Sequence, residues 1–276
     1  MPELPEVETV KRTLSPHLMG QKFTEIKIYH PAVIAYPDAA AFVKILTGRP
    51  VRSLDRRGKY LIFNLDENLD EAYCLVGHLR MTGRLILAGD AVPLAPHTHV
   101  VFSLDNGVYL HWVDVRRFGR LYLAREEEIM AVTGMAKLGP EPLGMSVEAL
   151  AAICAGRRRP LKQLLLDQHL LAGIGNIYAD EILFEAGLHP GREAGSLNRM
   201  EIERLQKAVQ QVLRQAIANQ GTTFRDYVDG SGRPGKNQEY LKAYGRTGKP
   251  CSRCGQLLER VILGGRSTHF CPGCQK

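Results

Sequence analysis

The sequence has no apolar run near the ~20 residues that a membrane-spanning helix needs, and no charged-then-apolar leader opens it. Neither a membrane-spanning nor an exported chain is expected. Cysteine is scarce, six in 276 residues, too few for a disulfide scaffold. No internal repeat is apparent, so no repeat architecture is expected. Acid is in deficit, 29 acidic residues against 36 basic, a net charge of +7. What is present is ordinary for a folded protein: 45% hydrophobic and 24% charged residues, enough to bury a real core. The length fits one large domain or two of about 150 residues.

The positive excess is concentrated. From Arg225 to Lys276, ten basic residues face four acidic ones, a net +6, which leaves +1 for residues 1–224. A second basic knot is Gly156-Arg157-Arg158-Arg159-Pro160-Leu161-Lys162. Clustered positive charge is the footprint of phosphate-backbone binding. A solvated, solubilising tail would carry the same charges.

Residues 4–18 have the periodicity of a helix, with Val7, Val10, Leu14 and Leu18 on one face and Pro5 in the first turn. From about 22 to 125 short apolar runs alternate with turn residues: Tyr60–Leu65, Tyr73–Leu79, Arg84–Leu87, His99–Leu104, Val108–Val113 and Leu121–Leu123. Asp105-Asn106-Gly107 marks a hairpin. This half predicts an antiparallel β-sandwich or barrel. Gly and Pro at 134, 139, 140, 142 and 144 suggest a link within residues 126–145. Helices are expected at Val147–Cys154 with Ser146 as cap, at Leu161–His169, at Ile177–Ala186, and at Asn198–Asn219 with the stripe Ile202, Leu205, Val209, Val212 or Leu213, and Ala216. Residues 221–249 predict a long, glycine-rich loop. The fold class expected is α+β, with four parts: 1–133 an N-terminal helix and β-sandwich, 134–148 a linker, 149–249 a helical domain with that loop, and 250–276 a finger.

Cys251-x2-Cys254-x16-Cys271-x2-Cys274 has the spacing of a four-cysteine zinc site. Each pair presents two thiolates from one tight turn, and a hairpin over Arg260–Ile262 and Thr268–Phe270 can bring the pairs together. Four sulfurs leave no open coordination position, so one Zn2+ is expected, in a structural role. Free-thiol ligands imply a reducing compartment, hence cytoplasm.

The chain begins Met1-Pro2-Glu3-Leu4-Pro5-Glu6-Val7-Glu8. Met before Pro is normally removed, which would expose Pro2 as a secondary amine with a pKa near ~8. Such an amine attacking an aldehyde carbon gives a cationic iminium, an electron sink, and Glu3 and Glu6 stand beside it to move protons. The same residues also suit an ordinary helix start, with acids complementing the dipole.

Pro2-Glu3-Leu4-Pro5-Glu6-Val7-Glu8, a helix-turn-helix around Gly173-Ile174-Gly175-Asn176-Ile177-Tyr178, and a C-terminal four-cysteine finger occur here in one order. Together they resemble the formamidopyrimidine-DNA glycosylase family, over essentially the whole chain. The resemblance implies a β-sandwich, a helix–two-turn–helix domain and a DNA cleft between them. Pro2 then matches the nucleophile that attacks C1′, Glu3 the acid that helps to open the sugar, and Glu6 a second carboxylate of the site. Lys59 matches the lysine tied to β-elimination and phosphate contact, and Arg266 the finger arginine tied to δ-elimination. His78 and Asn176 match phosphate clamps. His97, Arg116 and Arg157 match further DNA contacts, and Lys162 a residue near the lesion. Met81, Arg116 and Phe118 match the residues that fill the void left by a flipped base, although Met81 and Phe118 also suit a core. As an isolated residue, Asn176 would simply cap a helix starting at Ile177.

The activity so implied is that of a bifunctional glycosylase and AP lyase on oxidised purines in double-stranded DNA, working as a monomer in the bacterial cytoplasm or nucleoid. An endonuclease VIII-like enzyme for oxidised pyrimidines shares Pro2, Glu3 and the finger. A non-enzymatic zinc-finger DNA-binding protein explains the charge and the cysteines but leaves Pro2-Glu3 without a role.

Overall fold

The structure, a computed structural model, describes residues 1–66, 72–89 and 94–276. They form two compact units: Met1–Lys137 with Gln220–Lys236, and Leu138–Asn219 with Asn237–Lys276.

The first unit opens with α1 (Leu4–Leu18), whose buried face carries Val7, Val10, Leu14 and Leu18, the stripe read from periodicity. Nine strands follow: β1 (Phe23–Ile28), β2 (Ile34–Tyr36), β3 (Val51–Arg57), β4 (Tyr60–Leu65), β5 (Tyr73–His78), β6 (Gly83–Ala88), β7 (Thr98–Leu104), β8 (Tyr109–Asp114) and β9 (Arg120–Arg125). Helix α2 (Ala39–Leu46) lies between β2 and β3, and α3 (Glu126–Thr133) follows β9. One sheet runs β1-β7-β8-β6, the other β2-β9-β5-β4-β3. Their inner faces and α1 share one apolar core that includes Phe23, Phe63, Leu75, Phe102 and Trp112. The sandwich is antiparallel as expected, with one exception: β2 lies parallel to β9 at a sheet edge. Parallel pairing needs a long connection, and the chain between these two strands supplies it.

In the first unit two segments depart from expectation. Residues 126–133 form α3 rather than a link, because three glutamates in its first turn complement the helix dipole and Gly134 (φ 76°) closes it. The segment Gln220–Lys236, expected with the helical part, packs with the first unit instead. Its glycines allow this. Gly230 lies against the Leu14 side chain, where a Cβ would come within 2.6 Å, and Gly235 approaches the Gly221 carbonyl, where a Cβ would stand at 2.1 Å. Gly230 N donates to Thr13 Oγ1 (2.9 Å), and Leu87 N donates to the Gly230 carbonyl (2.8 Å).

The second unit holds α4 (Val147–Cys154), α5 (Leu161–Leu166), α6 (Asn176–Ala186), α7 (Arg199–Ala218) and a hairpin of β10 (Glu259–Leu263) and β11 (Arg266–Phe270). Ser146 caps α4 and Asn198 caps α7, each by accepting a backbone N–H. Helix α5 stops earlier than its apolar pattern suggested. Asp167 turns its carboxylate back to the His169 N–H (2.9 Å) and to Arg159 (2.6 Å), bonds that compete with a further helical turn. Gln168 then laces the two turns before α6, donating to the Leu166 and Ile174 carbonyls and accepting from Gly173 N. Helix α6 is buried almost all round, as a central helix must be.

Candidate functional site

At the start of α1 the chain places two buried carboxylates one turn apart. Glu6 Oε2 accepts from Glu3 N (2.8 Å), and its Oε1 accepts from Thr222 N (2.7 Å). One acid therefore ties the helix start to the 220–236 segment. Pro2 is buried directly ahead of them, while Met1 is exposed. At Glu8, burial opposes ionisation, but the guanidiniums of Arg12 and Arg56 outweigh it and hold the carboxyl below its usual range.

Lys59 sits in the turn between β3 and β4 and is largely buried. His78 ends β5 beside it in register with Tyr60, whose ring meets the imidazole edge-on at 4.5 Å. Burial, together with the charges of Arg80 and Lys59, pushes the His78 pKa down to about 3. Its ring is therefore neutral at pH 7. Arg80 N donates to Nδ1 (3.1 Å), so the ring proton sits on Nε2, and His78 offers a neutral donor rather than a cation.

Met81 and Phe118 are 41% and 46% exposed, which removes the core reading for both. The Arg116 guanidinium lies 4.6 Å over the Phe118 ring and 3.1 Å from Met81 Sδ, so the trio named from sequence forms one exposed group. His97 is exposed on a neighbouring turn.

In the second unit, Asn176 is not the cap foreseen for it. Gly175 is the N-cap and Asn176 is the first helical residue, which frees its amide to donate to the Ser267 carbonyl (3.0 Å) on β11. Lys162 needs a larger correction. It reaches no surface: it is fully buried, paired with Asp180 and donating to the Asn176 carbonyl (3.1 Å). Leu161, Leu164 and Leu165 bury the turn that carries it. Arg157 is exposed and folds its Nε back onto the Ile153 carbonyl (2.6 Å).

Asp180 escaped the sequence reading. Its Oδ2 accepts from both the backbone N–H (3.0 Å) and Nδ1 (2.8 Å) of His269. A signal was present: Asn176, Asp180 and Phe184 recur every fourth residue along α6. All three meet the finger, and Phe184 joins its small cluster with Ala243, Cys251, Leu258 and Cys271.

The four cysteine Sγ atoms lie within 4.8 Å of one another, with Cys251–Cys274 at 3.8 Å and Cys254–Cys271 at 3.4 Å. A tetrahedral zinc with ~2.3 Å Zn–S bonds sets its sulfurs about 3.8 Å apart, so the donor set fits that ion. Arg266 opens β11 after the Gly264-Gly265 turn (φ 56° and 73°), exposed and next to Ser267. Lys162, Asn176 and Arg266 are thus linked through main-chain neighbours within one unit.

Comparison with known proteins agrees along the whole chain. Residues 1–121 match the formamidopyrimidine-DNA glycosylase N-terminal domain, residues 138–228 its H2TH domain, and residues 248–276 a zinc finger found in FPG and IleRS. The chain is 64% identical to formamidopyrimidine-DNA glycosylase of Moorella thermoacetica, over 95% of this chain and 94% of that protein. It is 48% identical to the Desulfitobacterium hafniense protein of the same name, with full coverage of both.

The chain belongs to the formamidopyrimidine-DNA glycosylase family.

Solved structures of this family from Lactococcus lactis superpose on it with 36% identity. One, in complex with DNA containing an abasic site, gives a TM-score of 0.91 over 99% of both chains. Another, the wild-type protein with N7-benzyl-Fapy-dG DNA, gives 0.91 over 100% of both. The formamidopyrimidine-DNA glycosylase finger carries one structural zinc on Cys251, Cys254, Cys271 and Cys274. The ion supplies a cross-link for a segment with almost no core of its own.

Proposed function

We propose that this chain is a bifunctional DNA glycosylase and AP lyase of base excision repair that removes oxidised purines, 8-oxoguanine and formamidopyrimidines, from double-stranded DNA. The observation that carries the reading is the buried Glu3–Glu6 pair at the start of α1, directly behind Pro2. Acids held without solvent beside an amine suit proton transfer.

With Met1 removed, the Pro2 nitrogen forms a bond to C1′ as the bond from C1′ to the base breaks, and the proton that the nitrogen sheds leaves with the base. Glu3 donates a proton to the sugar ring oxygen, the ring opens, and an iminium remains. The iminium draws electrons from C2′; loss of a C2′ proton expels the 3′ phosphate, and a second elimination expels the 5′ phosphate. Lys59 serves the first elimination and Arg266 the second. Glu6 holds Glu3 N and Thr222 N at once, which couples the acid to the 220–236 segment that faces the base. His78, Asn176, His97 and Arg157 bind the DNA backbone, His78 as a neutral donor. Met81, Arg116 and Phe118 fill the space of the flipped base. Lys162 acts from inside, by holding Asn176. The enzyme works as a monomer in the bacterial cytoplasm; among the described residues no helix is long and apolar enough to cross a membrane.

Borohydride reduction during reaction with an 8-oxoguanine duplex should give a covalent protein–DNA adduct, and Pro2→Gly should abolish it. Equal trapping by Pro2→Gly would overturn the nucleophile assignment. The L. lactis relative has also been seen with DNA containing an oxidised pyrimidine. Excision rates should therefore be compared on 8-oxoguanine and thymine-glycol duplexes, with the purine expected to be faster.

A further inference from the structure

Five non-glycine residues among those described have a positive φ, and three of them lie in turns that surround one buried side chain: Arg80 (54°), His97 (67°) and Arg117 (58°). A side chain in this region is strained, and such strain persists only where neighbouring contacts enforce it. The residue that all three turns contact is Asp114, the last residue of β8, fully buried. Its backbone N–H donates to the His97 carbonyl (3.0 Å), and its own carbonyl accepts from His99 Nε2 (2.7 Å). Its Oδ1 accepts from the Thr82 hydroxyl and from Arg116 N (3.2 Å), and its Oδ2 accepts from Gly119 N (2.7 Å). Thr82 Oγ1 also accepts from Arg116 N (3.1 Å). No ion pair to this carboxylate is seen among the described residues. Its oxygens accept from one hydroxyl, in the turn after β5, and from two backbone N–H groups, in the turn after β8.

We propose that Asp114 is the positioning residue of the void-filling group. Thr82 directly follows Met81, and Arg116 and Gly119 bracket Phe118. One carboxylate therefore sets the spacing between the turn that carries Met81 and the turn that carries Arg116 and Phe118. The His97 turn is fixed to the same residue through its main chain. The void-filling group is shaped before DNA arrives, by bonds to Thr82 and to the main chain of Arg116 and Gly119 in which the side chains of Met81, Arg116 and Phe118 take no part. This inference rests on the wedge reading given above. Thr82 is the cross-link between the two turns, so its hydroxyl is the sharpest place to cut.

The test uses the full-length, zinc-loaded protein with Thr82→Val, Thr82→Ser and Asp114→Asn, each checked by thermal unfolding. Two substrates are compared. An 8-oxoguanine duplex carrying 2-aminopurine beside the lesion reports wedge insertion by fluorescence and excision by single-turnover rate. A single-stranded oligonucleotide with an abasic site has no widowed base and no void, and its borohydride trapping reports the amine chemistry alone. Thr82→Val should slow the fluorescence rise and duplex excision on the order of 10–100-fold, the cost of a misplaced group, while single-stranded trapping stays at the wild-type rate. Thr82→Ser should restore the duplex rate. Asp114→Asn, which offers an N–H where an acceptor is needed, should behave like Thr82→Val or more severely. Equal losses on both substrates, or no loss on the duplex, would overturn the positioning role. A wild-type chain that neither excises nor traps would overturn the glycosylase reading itself and this inference with it.

Discussion

Lys59 and His78 stand at the ends of strands buried in a continuous apolar core, which runs from Val7 and Leu14 on α1 through Leu61, Leu75 and Trp112. Arg266 stands on a two-stranded hairpin whose apolar support is Phe184, Ala243, Leu258 and the cysteines themselves. Both regions present groups proposed to meet phosphate, yet they hold them by different means. The sandwich removes enough apolar surface from water to fix its strand ends. The finger cannot, because a segment of that size buries too little, and a metal ion replaces the missing core. Between these two cases lies the α6–β11 junction, where Asp180 receives Lys162 and His269 in a fully buried polar cluster.

Metal removal is the strongest way to separate the two regions. Trp112 is the only tryptophan in the sequence and lies fully buried in the sandwich core. Chelation, or Cys254→Ser with Cys271→Ser, should unfold the finger, whose zinc is worth on the order of 10 kcal/mol in isolated finger peptides. Affinity for lesion duplex and the second elimination should both be lost, while Trp112 emission stays native. If Trp112 became exposed at the same chelator concentration, the independence of the two supports would be refuted.

The buried pair comes next. Removing one partner strands a charge, so Lys162→Met should destabilise the helical unit by about 3–5 kcal/mol, read by far-ultraviolet circular dichroism in urea. Lys162→Met combined with Asp180→Leu should recover much of that loss. A surface contact to DNA would give the opposite pattern: unchanged unfolding with weakened binding.

This pair also shows where sequence reading stops. The stripes of α1 and α7, the short apolar runs between turn residues that became β4 to β9, and the CxxC spacing are local patterns, and each is present in the fold. The strands β1 to β3 and α2 lacked such contrast: β1 buries only Phe23 and Ile26. Lys162 looked like part of a basic run because it follows Arg157, Arg158 and Arg159 closely in the sequence. Its pairing with Asp180 depends on how α5 meets α6, which no local window contains. Asp114 was hidden for the same reason, since its donors come from turns around Thr82 and Gly119. The candidate site residues were named by type and position, Glu6 among them; the buried carboxylates of Asp114 and Asp180, which hold the turns and helix around several of them, were not.

The smallest effect distinguishes the charge states of the two supports. His78 is buried and neutral, with its pKa lowered to about 3 from an ordinary value of 6.5. In the unfolded chain it takes up a proton as pH falls through 6.5, whereas in the folded chain it does so only near 3. The unfolded state therefore binds more protons across that window, and His78 makes folding less favourable with each step down in pH, by at most about 1.4 kcal/mol per pH unit. The unfolding free energy of wild type minus that of His78→Asn, from urea titrations at several pH values, should be flat above pH 6.5 and decline below it. Taking the difference cancels the carboxylates that titrate in both proteins. The guanidinium of Arg266 keeps its charge throughout, so Arg266→Ala should show no such slope. A flat difference for His78→Asn would mean that its ring is solvated and charged like a surface histidine. His78 would then meet phosphate as a cation below its ordinary pKa of 6.5 rather than as a buried neutral donor.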